Sequence, residues 1–151
     1  MSILCEIVTQ ERLVYSGQVD TVVVDGSEGR MGILPNHAPL LTTLQISELR
    51  VKAGDMEESF ALGGGVLEVR PDRVTVLADV AENAAEIDLE RATAARERAE
   101  TYLAQGRPQS FETSPEAFFE ITNALRRANV RLRVSANRRG IPDPMDMGDT
   151  D

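Results

Sequence analysis

The chain has 151 residues, 42% of them hydrophobic and 27% charged, which suits one folded domain of ordinary size with a modest appendage. A net charge of −9, with 4% aromatics and no Trp, excludes a broad phosphate-backbone surface and a base-stacking platform, so nucleic acid is not an expected partner. One cysteine (Cys5) and one histidine (His37) exclude an internal disulfide and any multi-cysteine or His-cluster metal site.

No apolar run reaches the ~18 residues of a membrane span, so direct membrane insertion is not expected. The start MSILCEIVT lacks signal-peptide architecture, and the expected compartment is cytosolic. Charge divides the chain. Residues 1–84 carry 13 acids and 6 bases, residues 85–140 carry 8 acids and 10 bases, and residues 141–151 carry 4 acids and no base.

From Ser2 to about Asp79 the hydrophobic period is near two, as half-buried strands require. Ile3, Cys5 and Ile7 alternate with Leu4, Glu6 and Val8. Leu49 and Val51 alternate with Glu48, Arg50 and Lys52, while Leu67 and Val69 share one face, as do Val74, Val76 and Ala78. Turn chemistry falls at Ser16-Gly17, Asp25-Gly26, Gly29, Gly54-Asp55, Gly63-Gly64-Gly65 and Pro71-Asp72. Many short strands at such spacing predict an all-β sandwich or barrel.

After Asp79 the composition turns to Ala, Glu and Arg. A helix is expected from an Asp88 N-cap to Gln105, with Gly106 as its stop and a small-residue stripe at Ala92, Ala95, Ala99 and Leu103. Ser114 then caps a second helix with Pro115 at its first position. Phe118, Ile121, Leu125, Ala128 and Leu132 form its apolar seam. The two pair as an antiparallel hairpin that is marginal unless it docks on something. The tail 139–151 is acidic, aperiodic and expected to be disordered.

Few residues carry recognisable chemistry. His37 has no Ser, Cys or carboxylate partner at a persuasive spacing, so no catalytic residue is expected. Cys5 reads as an inert core position, and Gly63-Gly64-Gly65 as a bulge. Residues 26–41, GSEGRMGILPNHAPLL, read as a hairpin or as an interaction loop; no GK[ST] follows the glycines. Arg127 and Arg131 share a helix face, and a hairpin brings Arg91 towards them. Three guanidiniums without carboxylate partners form either a solvated basic face or a site for an anion such as a nucleotide polyphosphate.

At this point the sequence resembles the epsilon subunit of bacterial F-type ATP synthase, over residues 2 to 138. The likeness rests on G29-x-x-G32-I-L-P35-x-H37-A-P39-L-L, on ALGGGVLEVRPDRVTVLAD, and on I87-D88-x-x-R91-A92 opening the first helix. The resemblance implies a sandwich of about ten strands (1–84), a two-helix regulatory hairpin (85–138) and an extra tail (139–151). It implies a non-catalytic subunit in the central stalk of a proton-translocating enzyme, on the cytoplasmic face of the bacterial membrane. The implied partners are the gamma subunit, the ring of c subunits through Glu28, Arg30, Met31 and His37, and the alpha/beta hexamer through an extended hairpin. No cofactor is required. The motif in nucleotide-sensing members implies a regulatory ATP site at Glu82, Ile87, Asp88, Arg91, Ala92, Arg127 and Arg131. A free-standing nucleotide sensor using the same arginines is the alternative.

Overall fold

The computed structural model describes residues 1–105 and 115–137. Eight strands come first: β1 Ile3–Val8, β2 Leu13–Val19, β3 Thr21–Gly26, β4 Gly29–Ile33, β5 Leu40–Ala53, β6 Met56–Arg70, β7 Arg73–Ala78 and β8 Ala81–Asn83. A 3₁₀ turn at Ala84–Glu86 leads into two helices, α1 Leu89–Ala104 and α2 Pro115–Asn137. The strand order is β2-β1-β7-β6-β5-β3-β4, with β8 on β6. The β1–β7 pair is parallel, and the other pairs are antiparallel.

Two long strands make the sandwich. The outer parts of β5 and β6, residues 40–44 and 65–70, join β7, β1 and β2 in one layer. Residues 46–53 and 56–63 join β3, β4 and β8 in the other. The β5–β6 pairing steps from Leu44↔Gly65 to Ile46↔Gly63 at the passage between layers. There Gly64 and Gly65 have φ of 101° and 148°, a region that L side chains avoid. A Cβ on Gly65 would also lie 2.2 Å from the Leu77 carbonyl oxygen. The expected count of about ten strands becomes eight because β5 and β6 each serve both layers without a break.

The inward faces alternate as the sequence predicts. Ile3, Cys5, Ile7, Leu67, Val69, Val74 and Val76 meet Val22, Val24, Leu49, Val51, Phe60 and Leu62 in one core. Tyr15 stands edge-on to Phe60 at 5.4 Å between ring centroids. Full burial of such side chains contributes about 1.5–3 kcal/mol each. Burial, with Glu6 beside it, pushes the Cys5 thiol up to about 12, so it is unreactive. One expected turn is overturned: Ser16-Gly17 lies inside β2, paired with Glu6 and Cys5. The chain reverses instead at residues 9–12, where the Thr9 hydroxyl accepts from the backbone N–H groups of Glu11 and Arg12.

The hairpin covers the outer face of the layer containing β3, β4 and β8. Ala92 and Ala99 of the small-residue stripe are buried, and Ala128 is buried on the expected seam. Phe118, placed on that seam by its spacing, is 43% exposed. The helix also has a second apolar face. Val130 and Val134 pack with Ala61, Ala84, Ile87 and Ile46 of the sandwich and its 3₁₀ turn. The expected Gly106 stop, the Ser114 cap and the 139–151 tail lie outside the described residues.

Gly65→Ala should lower stability by about 3 kcal/mol in chemical denaturation, from backbone strain plus the clash with Leu77. Gly54→Ala, at φ 62° in open space, should cost only about 1 kcal/mol. Equal losses would show that Gly65 does not set the passage between layers.

Candidate functional site

The junction of sandwich and hairpin is built from short-range rules. Strand β8 pairs Ala61↔Glu82, which sets Glu82 on the face that the hairpin covers. The Asn83 side chain accepts from the Ala85 N–H at 2.9 Å and starts the 3₁₀ turn. Ile87, only 7% exposed, anchors the chain under α2. Asp88 then caps α1, its Oδ1 accepting from the Arg91 N–H at 3.0 Å, as its position before the Ala-rich run predicts.

Across this turn α2 presents Arg131. Its Nε and Nη2 donate to Glu82 Oε1 at 2.7 and 2.6 Å. Glu82, Glu86, Asp88, Arg91, Ala92 and Arg131 surround a cavity of about 320 Å³. That is near the lower end of the ~300–1,000 Å³ usual for small-molecule sites, and its wall is charged rather than apolar. Five of the seven expected nucleotide-site residues line it. Arg127, one turn earlier on α2, lines the adjoining shallow cleft with Ala61, Gly63 and Val80. Ile87 belongs to the packed cluster beneath.

One sequence expectation is corrected here. The arginines are not three uncompensated cations, because Arg131 is neutralised by Glu82, with the side chains 32% and 26% exposed. The strand that follows β7 delivers that carboxylate from 49 residues away. A second pair was not foreseen at all. Arg12, in the β1–β2 turn, grips Glu86 with Nη1–Oε1 at 3.3 Å and Nη2–Oε2 at 2.8 Å. Hydrogen bonding and charge from Arg12 hold Glu86 below the usual carboxylate range, against a smaller opposing effect of burial.

The four residues expected to meet a partner ring do not form one patch. Glu28 sits exposed in the β3–β4 turn, and Arg30 Nε donates to Asp25 Oδ1 at 3.1 Å on the outer face. Met31 points the other way and packs against the core. His37 lies beyond the far end of β4, a strand of five residues and so about 16 Å long. There Asn36 adopts φ 64° and donates its N–H to the Pro71 carbonyl at 2.9 Å, while the His37 N–H reaches the Leu34 carbonyl at 3.2 Å. Among the described residues no group of three or more His, Cys, Asp or Glu side chains could hold a metal ion. None of the described helices is long and apolar enough to cross a membrane.

A β-sandwich carrying a two-helix hairpin, with charged side chains facing each other across their junction, defines a class of small two-part subunits. The description "ATP synthase, Delta/Epsilon chain, beta-sandwich domain" matches residues 2–84. The description "ATP synthase, Delta/Epsilon chain, long alpha-helix domain" matches residues 85–136. The chain belongs to this family, as an ATP synthase epsilon chain. It is 52% identical over 138 residues to the ATP synthase epsilon chain of Dehalococcoides mccartyi, covering 91% of this chain and 94% of that one. The epsilon chain of Herpetosiphon aurantiacus is 51% identical over 139 residues, covering 92% and 98%. Among solved structures, the Euglena gracilis mitochondrial ATP synthase (OSCP/F1/c-ring) contains a chain of the same fold. Its TM-score is 0.71 at 21% identity, with 85% of this chain and 78% of that chain covered.

The lowered Glu86 carboxyl makes a pH prediction. A depressed folded-state pKa contributes stability above the unfolded carboxylate range and loses it as pH falls through the folded value. Wild type should therefore melt slightly above Glu86→Gln at neutral pH, by no more than an exposed ion pair contributes, and the gap should close once the pH drops below the carboxylate range. A gap that persists in acid would show that the pair is not the source.

Proposed function

We propose that this chain serves in the central stalk of a proton-translocating F-type ATP synthase, at the cytoplasmic face of a bacterial membrane. In that role it couples the rotor to the ring of c subunits and restrains ATP hydrolysis through its hairpin. One observation carries the regulatory part. The cavity is walled from both sides, by Glu82 and Glu86 on the sandwich side and by Asp88, Arg91, Ala92 and Arg131 of the hairpin. A ligand held there bonds to both halves, so it favours the docked hairpin by its differential affinity alone. The apolar seal between the halves is small, comprising Ala61, Ala84, Ile87, Val130 and Val134 with Ile46. A docked state separated from an extended one by a few kcal/mol is what ligand-controlled release requires.

ATP suits the wall because Arg91 and Arg131 can turn towards phosphate oxygens, with Arg127 alongside. A charge-assisted contact of this kind is worth about 1.5–3 kcal/mol. Arg131 leaves Glu82 to make this contact, so Arg131→Ala should weaken ATP binding by the full chain towards the lower end of a roughly 10- to 150-fold range in calorimetric titration. Arg127→Ala should cost less, since Arg127 flanks the cavity. Exposed Arg126 is the control. Equal losses at Arg126 and Arg131 would reveal a diffuse basic face rather than a site.

The opposite face of the sandwich supports a rotor partner. On the layer away from the hairpin, cross-strand pairing aligns Leu13, Val8, Leu77 and Val66 in one apolar row. Leu13 and Leu77 are 56% and 54% exposed. A contiguous exposed apolar row marks a protein contact, and we assign it to gamma. Leu77→Glu should leave the melting temperature nearly unchanged and abolish co-purification with gamma. Undiminished assembly of that variant would move the gamma contact elsewhere.

A further inference from the structure

The cavity wall holds three carboxylates, Glu82, Glu86 and Asp88, but only two arginines, Arg91 and Arg131. Two of the carboxylates are answered locally. Glu82 accepts from Arg131, and Asp88 accepts from the first-turn N–H of α1. Glu86 has no cation in the wall. Its partner arrives from the β1–β2 turn, where Arg12 forks onto both carboxylate oxygens.

We propose that Arg12 is a positioning residue for a polyphosphate in this cavity, holding Glu86 aside and cancelling its charge at the rim. The inference rests on the nucleotide reading above and adds to it a residue that touches no ligand. Three observations carry it. The side chains are 51% and 45% exposed, and a surface pair of that kind adds little stability of its own. The fork fixes the plane of the carboxylate, which a single point charge would not. The turn is itself ordered: Thr9 accepts from the backbone N–H groups of Glu11 and Arg12 and donates its hydroxyl to the Arg12 carbonyl, so the guanidinium projects from a set backbone.

With Arg12 absent, a bare carboxylate faces the incoming phosphates and repels them. With Glu86 absent, Arg12 is released as an extra cation at the rim. The two single changes therefore move affinity in opposite directions, although both break the same ion pair. A simple tether between turn and hairpin base would move both the same way.

The test is a titration of the full chain and its variants with ATP and with inorganic triphosphate, at low ionic strength. Arg12→Gln should weaken both ligands roughly three- to ten-fold, and Glu86→Gln should tighten both by a similar factor. The double variant should return to within about two-fold of wild type, because its rim is again neutral. Raising the salt should shrink every difference as the Debye length falls. Arg12→Lys keeps the charge without the fork and should lie between wild type and Arg12→Gln. If Arg12→Gln fails to fold, Glu86→Gln and Arg12→Lys still decide the matter. Weaker binding by Glu86→Gln would make the pair a tether and overturn the proposal, as would equal affinities throughout. No binding by wild type would instead remove the nucleotide reading, and the role of Arg12 with it.

Discussion

Strand β6 holds the molecule together in a literal sense. Its fifteen residues pair with β5 along nearly their whole length, with β7 at one end and with β8 at the other. Because it crosses from one layer to the next at Gly63-Gly64-Gly65, the same strand contributes Leu67 and Val69 to one side of the core and Phe60 and Leu62 to the other. Its outward residue Ala61 is also the floor on which α2 sits. The position of Arg131 over Glu82 thus traces back to a backbone passage that favours glycine and to a floor that includes buried Ala61.

On that frame the junction is electrostatically self-satisfied. Each carboxylate in the wall has a donor: the guanidinium of Arg131 for Glu82, the start of α1 for Asp88, and Arg12 for Glu86. This arrangement lets the hairpin dock without a ligand, since no unpaired charge is trapped at the seam. It also sets the terms on which a ligand competes. A phosphate that takes Arg131 must replace its bonds to Glu82, so the net gain is smaller than the bond to phosphate alone. Weak net coupling is an advantage for a switch, because a site that bound too tightly would never release the hairpin.

Much of this was legible in the sequence, and the reasons are local. Period-two alternation reported the core faces of β1, β5, β6 and β7, because alternate residues of each strand point into the core, although β6 also buries Ala61 on its outward side under α2. Asp88 announced the start of α1 because capping is settled within three residues. The misses were of three kinds. Ser16-Gly17 carries turn chemistry, yet strand pairing with β1 overrode it. Val130 and Val134 were available as an i, i+4 pair beside the seam, and together they widen the apolar arc of α2. Ion pairs over 49 and 74 residues left no periodic trace, because topology rather than spacing brings them together.

The three surfaces that matter are separate, and their separation is itself an argument about mechanism. The hairpin covers one face of the sandwich, at Ile46, Ala61 and the 3₁₀ turn. The Leu13–Val8–Leu77–Val66 row occupies the opposite face. The 34–39 loop, braced on Pro71 and carrying exposed Leu34, lies at an edge between them. In the proposed role, release of the hairpin uncovers only its own face. Contacts made by the other two are then untouched while the hairpin moves, and inhibition can be switched without the stalk letting go of the rotor. A hairpin that shared residues with the apolar row would have to trade assembly against regulation. Here Gly63–Gly65 turns one strand through both layers, so a single core supports a fixed face and a releasable one.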